Sequence, residues 1–87
     1  MKVKYYVGQV HERNGNFEYD TKYLFSTNKN PDKYAEKIAM SWRGGGKDDW
    51  DEEHQGYWCD STLIFNAGSN EISKDDFEVL QRHLTVL

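Results

Sequence analysis

Alternating apolar and polar residues predict an antiparallel hairpin at the start of the chain. Residues 3–10 place apolar or aromatic side chains at every second position, and residues 17–25 repeat this alternation. Asn14 and Gly15 lie between the two stretches, and the Asn-Gly pair supplies the positive φ angles of a tight turn. The pattern therefore predicts two antiparallel strands joined at this turn.

The next stretch has the spacing of a helix. Asn30 and Pro31 indicate its start, because Asn caps free backbone amides and Pro suits the first helical position. Three consecutive glycines from Gly44 should end it. The apolar positions between them recur three or four residues apart, at Tyr34, Ala35, Ile38, Ala39 and Trp42.

Residues 44–56 follow without any apolar periodicity, and we expect them to form a flexible acidic loop within the domain. Two short β-prone stretches, residues 57–59 and 62–65, then predict a second hairpin with its turn at Asp60 and Ser61.

The last predicted element is a helix. Ser73 and Asp76 have the spacing of an N-terminal capping box. We expect this helix to bury Phe77, Leu80 and Leu84.

The order of these elements, β-β-α-loop-β-β-α, predicts an α+β fold. We expect an antiparallel sheet of two hairpins with both helices packed on one face, since an amphipathic helix must cover an apolar surface. We also expect residues 1–87 to form a single domain, because half of this chain would be too short to bury an adequate core.

Charge is distributed unevenly along the chain. The net charge is −4, which argues against general DNA binding. Residues 1–47 contain nine basic and five acidic side chains, whereas residues 48–87 contain two basic and ten acidic ones. The balance is therefore +4 in the first half and −8 in the second, which predicts two regions with opposite preferences for a partner.

The acidic loop is the first candidate for function. It places an indole among carboxylates, and Trp is enriched where protein interfaces concentrate their binding energy. We therefore predict a non-catalytic interaction domain, a small acidic regulator or inhibitor that binds a protein partner with a basic surface. A narrower hypothesis is a bacterial or phage-encoded inhibitor of a nucleic-acid-handling complex. The predicted partner-binding residues are Asp48, Asp49, Trp50, Asp51, Glu52, Glu53, Tyr57 and Trp58.

The alternative hypothesis is a single-stranded nucleic-acid-binding module in the basic half. Aromatic and cationic side chains on a sheet can stack bases and contact phosphates. The residues that would do so are Lys4, Tyr5, Tyr19, Lys22 and Tyr23.

Other classes are disfavoured by what the sequence lacks. Cys59 is the only cysteine, so neither an intrachain disulfide nor a zinc site of several thiolates can form, which fits a reducing compartment. The acidic loop matches no known spacing of an ion-binding loop, and no catalytic motif is present. We therefore predict no enzyme activity, no cofactor and no metal site. No apolar run is long enough for a signal peptide or a membrane span, so we expect a cytoplasmic protein without a membrane partner, and a homodimer stays open.

Overall fold

The computed structural model describes residues 2–87 and has an α+β architecture. All five strands belong to one antiparallel sheet with the order β2-β1-β5-β4-β3. The second hairpin thus joins the first sheet, because β5 pairs with β1. The elements are β1 (Lys4–Asn14), β2 (Phe17–Thr27), α1 (Pro31–Ser41), a 3-10 helix (Lys47–Asp49), β3 (Trp50–Asp51), β4 (Gly56–Cys59), β5 (Thr62–Ile72) and α2 (Lys74–Leu80).

Both predicted hairpins are present. Strands β1 and β2 pair without interruption from Lys4 opposite Thr27 to Asn14 opposite Phe17. Gly15 turns the chain between them with a φ of 60°, a conformation that glycine adopts at little cost. Strands β4 and β5 meet in the same way across the predicted turn at residues 60 and 61.

The caps of both helices follow the sequence signals. Asn30 Oδ1 accepts a hydrogen bond from the backbone N–H of Asp32 at 2.9 Å. Ser73 Oγ accepts one from the N–H of Asp76 at 3.1 Å. Helix α2 ends at Leu80 and is therefore shorter than the predicted apolar stripe, which extended to Leu84.

The expectation that both helices lie on one face of the sheet is not confirmed. Tyr6 belongs to the core cluster that contains Ala35 and Ala39 of α1. Tyr5 instead contacts Phe77 of α2, with ring centroids 4.9 Å apart. Neighbouring residues of a strand point to opposite faces, so α1 and α2 lie on opposite sides of the sheet. The physical reason is that β1 carries large apolar side chains on both of its faces, and each face needs cover.

The C-terminal residues close part of the outer edge of β2. The N–H of Leu24 donates to the carbonyl of Thr85, and the N–H of Leu87 donates to the carbonyl of Leu24, both at 2.8 Å. These bonds form a short parallel bridge around Val86.

The topology places the two charged halves of the chain side by side. Strands β1 and β2 come from the basic half of the sequence and lie next to each other, with β2 at one edge of the sheet. Strands β5, β4 and β3 come from the acidic half and extend to the opposite edge, which β3 forms. Among residues 2–87, neither helix has the length and apolar character that crossing a membrane requires.

Candidate functional site

The predicted partner-binding residues lie together along one edge of the sheet. We call this surface the acidic edge and define it as residues 48–53 together with Tyr57 and Trp58. Where a loop was predicted, the chain forms a 3-10 helix and the short strand β3. Trp50 pairs with Tyr57 of β4, and their rings meet edge to face with centroids 5.0 Å apart. This aromatic contact, together with the pairing of β3 and β4, holds the segment against the sheet.

The chain between α1 and this segment is held by a buried carboxylate. Glu12 is only 5% exposed, and it accepts a hydrogen bond from Trp42 Nε1 at 2.9 Å. The same carboxylate pairs with the guanidinium of Arg43. These contacts fix the chain just after α1, so the acidic edge begins from an anchored point.

Asp51 organises the turn between β3 and β4. One of its oxygens accepts a hydrogen bond from Trp58 Nε1 at 2.7 Å and lies 2.8 Å from His54 Nδ1. Its other oxygen accepts the backbone N–H groups of Glu53 and His54. These contacts lower the pKa of Asp51 to about 2. The largest cause is the hydrogen bond from the indole N–H of Trp58, and the next is the side-chain hydrogen bond with His54. Asp51 is therefore ionised at neutral pH.

Other side chains of the acidic edge are also held in place. Trp50 donates its indole N–H to Glu52 Oε2 at 2.7 Å, and Asp49 Oδ2 accepts the N–H of Gly46 at 2.9 Å. Trp50 is still 37% exposed and Trp58 is 39% exposed. Two large aromatic surfaces thus face solvent in defined positions.

The two indoles of the acidic edge lie on opposite faces of the sheet. Tyr57, the partner of Trp50, belongs to the core beneath α1. Its hydroxyl donates to Glu36 Oε1 of that helix at 2.7 Å. Burial first, and then the hydrogen bond to Glu36, raises the pKa of Tyr57 to about 12. Trp58 follows Tyr57 in β4 and so points to the other face. The acidic edge therefore presents one indole on each face of the sheet.

The negative charge of the acidic edge is not neutralised by basic side chains. Among residues 2–87, no Lys or Arg lies within ion-pair distance of the carboxylates of residues 48–53. The one contact of these carboxylates with a potentially cationic side chain is that between Asp51 and His54, which is an ion pair only when the imidazole is protonated. Unpaired charges of one sign produce a strong local field that attracts a partner of opposite charge.

Two residues that position the acidic edge were not among the predicted partner-binding residues. His54 follows Asp51 by three residues, the spacing at which side chains meet within a turn, and this spacing could have identified it. Glu36 belongs to α1 and accepts hydrogen bonds from Tyr57 and Asn66. Because these partners are 21 and 30 residues away along the chain, no local pattern could have identified Glu36.

Asp51 and Glu53 of the acidic edge form, with the neighbouring His54, the one group of potential metal ligands found among residues 2–87. Asp51, Glu53 and His54 each place a ligand atom within 4.8 Å of the others. Both oxygens of Asp51 already accept hydrogen bonds, and His54 Nδ1 is directed at one of them. The cluster is therefore explained by its internal hydrogen bonds, and we assign no metal to it.

The alternative nucleic-acid-binding residues do not form one surface. Tyr23 is fully buried, with its ring against those of Phe25 and Trp42. Tyr5 lies on the opposite face against α2, whereas Tyr19 is 47% exposed on the face that carries α1. Lys22 is exposed, and Lys4 Nζ lies 3.8 Å from Glu71. Bases could not stack on Tyr23 without unfolding the core.

Comparison with known proteins identifies no relative. No protein-family model matches the chain, and neither a curated protein nor a solved structure does. The functional argument therefore depends on the geometry and charge of the site.

Proposed function

We propose that this chain is a non-catalytic interaction protein that binds a basic surface of a protein partner through the acidic edge. The observation that carries the proposal is the combination of carboxylates that have no Lys or Arg partner among residues 2–87 with two partly exposed indoles on a hydrogen-bonded turn. Carboxylates alone are common on protein surfaces, but exposed tryptophans held beside them are not explained by solubility.

The order of the acidic edge favours binding. Association costs free energy when side chains must become ordered, and prior hydrogen bonding reduces that cost. Trp50 is held by Glu52 and by the ring of Tyr57, and Trp58 is held by Asp51. Their exposed surfaces can therefore act as anchors, while the surrounding carboxylates steer the partner into contact.

In a narrower form of the proposal, the chain is a bacterial or phage-encoded inhibitor of a nucleic-acid-handling complex. Grooves that bind nucleic acid are lined with Lys and Arg that neutralise phosphates. The acidic edge offers six consecutive residues, 48–53, of which five are acidic. Competition distinguishes this form from general binding: an oligonucleotide ligand of the partner should displace the chain.

The test compares two variants with the same change of charge. Asp48→Asn with Glu53→Gln removes two carboxylates whose oxygens accept no hydrogen bond among residues 2–87. The control, Glu71→Gln with Glu78→Gln, changes the net charge equally but lies on β5 and α2. Proteins captured from a bacterial lysate are identified by mass spectrometry, and each candidate is then titrated as a purified protein.

The expected result is a partner whose affinity falls with salt and with the acidic-edge variant but not with the control. If the two variants weaken binding equally, net charge alone drives the interaction and the proposed site is wrong.

One observation favours the alternative of nucleic-acid binding, at a place that includes Lys4 but none of the other predicted residues. A groove of about 750 Å³ beside the start of α1 is lined by Lys29, Lys33 and Lys37, and none of its lining residues within 2–87 is acidic. Lys4 lines an adjoining cleft. Titration of a labelled single strand at low and high salt, with Lys33→Gln and Lys37→Gln, tests this alternative. Phosphate contacts would make the affinity fall steeply with salt and with these substitutions.

A further inference from the structure

A basic groove lies beside the first turns of α1, and its charge is not neutralised within the described chain. We define the basic groove as the cavity of about 750 Å³ lined by Lys29, Lys33 and Lys37. Lys33 and Lys37 are four residues apart on the helix, so their side chains are neighbours on one helical face. In the part of the chain that the structure describes, none of the three lysines lies within ion-pair distance of a carboxylate. The basic groove therefore presents three positive charges to solvent.

The walls of the basic groove are partly apolar. Val3 lines it and is 46% exposed. The ring of Tyr34 also lines it and stacks on Phe25, with ring centroids 4.8 Å apart. The hydroxyl of Tyr34 donates to the carbonyl of Leu87 at 3.3 Å, which holds the ring in place. The basic groove thus combines cations with apolar surface.

The acidic edge is complementary to the basic groove in charge and in apolar character. Five of its residues 48–53 are acidic, and the sixth is Trp50, which is 37% exposed. Carboxylates placed against the three lysines would form ion pairs, and the indole placed against Val3 and Tyr34 would remove apolar surface from water.

The topology separates these two surfaces within one chain. Ser26 and Thr27 of β2 line the basic groove, and β2 forms one edge of the sheet. Strand β3, which belongs to the acidic edge, forms the opposite edge. Among residues 2–87, no ion pair joins the lysines of the basic groove to residues 48–53. A contact between the two surfaces therefore requires two copies of the chain.

We propose that the chain associates with itself head to tail, with the acidic edge of one copy bound in the basic groove of the next. The inference rests on the proposed function, because it uses the acidic edge as an interface and identifies a second copy as one source of a basic surface. Two different surfaces meet in this contact, so an open assembly keeps a free groove at one end and a free acidic edge at the other, and association continues beyond a dimer. The net charge of −4 on each copy opposes association, which makes the contact weak and dependent on concentration.

Two variants that each remove one surface test this proposal. Lys33→Gln with Lys37→Gln neutralises the basic groove, and Asp48→Asn with Glu53→Gln neutralises the acidic edge. Each variant alone should self-associate at least about tenfold more weakly than the natural chain. An equimolar mixture should recover association and stop at a dimer, because each variant keeps one of the two surfaces. Recovery in the mixture also controls for folding, since an unfolded variant could not bind.

Matched controls change the net charge equally at other places. Lys22→Gln with Lys74→Gln removes two positive charges from β2 and α2, outside the basic groove. Glu71→Gln with Glu78→Gln removes two negative charges from β5 and α2, outside the acidic edge. Both controls should associate like the natural chain, because neither changes a surface of the proposed contact.

Sedimentation equilibrium from about 10 µM to about 1 mM, at low and high salt, covers the range of weak complexes. Association of the natural chain that decreases with salt, weakening in each variant and a mixture that stops at a dimer support the proposal. A natural chain that stays monomeric throughout, variants that associate no more weakly than their controls, or a mixture that stays monomeric or grows beyond a dimer would overturn it. A monomeric chain that binds a labelled single strand through Lys33 and Lys37 would overturn it in favour of nucleic acid as the occupant of the groove.

Failure of this inference can be distinguished from failure of the proposed function. The groove variant keeps its acidic edge, so it should bind a captured partner with the affinity of the natural chain. A natural chain that binds such a partner through the acidic edge and yet stays monomeric would overturn self-association alone. Self-association without any captured basic partner would support this inference and leave the proposed function without its partner.

Discussion

Two tyrosines with opposite hydrogen-bonding states allow a sharp test of the core described above. Tyr23 is fully buried, and among residues 2–87 its hydroxyl has no hydrogen-bond partner. Tyr57 is also buried, but its hydroxyl donates to a carboxylate oxygen of Glu36 at 2.7 Å. Removal of the hydroxyl by Tyr→Phe should therefore change stability in opposite directions at the two positions.

The magnitudes follow from the environment of each oxygen. A buried hydroxyl without a partner costs about 1–3 kcal/mol, and its removal forfeits only a few van der Waals contacts. We expect Tyr23→Phe to stabilise the protein by about 1 kcal/mol. A hydrogen bond to a charged group contributes about 1.5–3 kcal/mol, so we expect Tyr57→Phe to destabilise it by about that amount.

Urea denaturation followed by circular dichroism measures both free energies of unfolding. For a chain of this size, 1 kcal/mol corresponds to a shift in Tm of about 4–8 °C, which thermal unfolding detects easily. Burial raises the pKa of Tyr23 to about 12, so its ionisation does not interfere near neutral pH. If Tyr23→Phe lowered the stability by 1 kcal/mol or more, the hydroxyl would have to have a partner and our description of the core would be wrong.

Three further predictions concern single positions. Hydrogen bonds lower the pKa of Asp51 to about 2, so the stabilisation from its carboxylate should be complete above about pH 4 and disappear as the pH falls through about 2. Tryptophan fluorescence should show this transition. The Asp51→Asn variant should not show it. Gly8→Ala should destabilise the protein by about 1–3 kcal/mol in urea denaturation, since the added Cβ would overlap with the ring of Tyr23 at Cζ. An unchanged stability would contradict this close packing. The hydrogen bond to Asp20 raises the pKa of His11. The stabilisation from this contact is therefore present below about pH 6.5 and is lost as the pH rises through the raised pKa of His11. Asp20→Asn should lower the pKa of His11 in an NMR titration, and an unchanged pKa would refute the contact.

Local signals in the sequence predicted most of the elements. Asn30 and Ser73 cap the two helices as expected, because capping depends on residues within one turn of the chain. The turns at residues 14–16 and 60–61 were predictable for the same reason. The α+β class follows from the order of these elements.

The arrangement of the helices depended on information that is not local. The alternation in β1 indicates a strand, yet it does not say that both of its faces need a helix. Tyr5 packs against Phe77, which lies about 70 residues further along the chain. This contact between residues far apart in the sequence places α2 on the face opposite to α1.

The candidate site was predicted in part. Trp50 stood out because an indole among carboxylates is unusual, and the structure places it beside Tyr57 as part of one edge. The pairing of β3 with β4 was missed, because β3 has two residues and offers too short a pattern. The role of Asp51 as the centre of the turn was also beyond sequence reasoning, since it depends on Trp58 across the strand pair.

The most direct test of the central claim is the affinity of the captured partner for Trp50→Ala, measured by calorimetric titration beside the natural chain. Trp50 is 37% exposed on the acidic edge, and Val79→Ala on α2, where the side chain is 59% exposed, serves as a control for loss of exposed apolar surface. If the acidic edge is the interface, Trp50→Ala should weaken binding at least about tenfold and Val79→Ala should leave it unchanged. Equal affinity for the natural chain and for Trp50→Ala would contradict the proposed site.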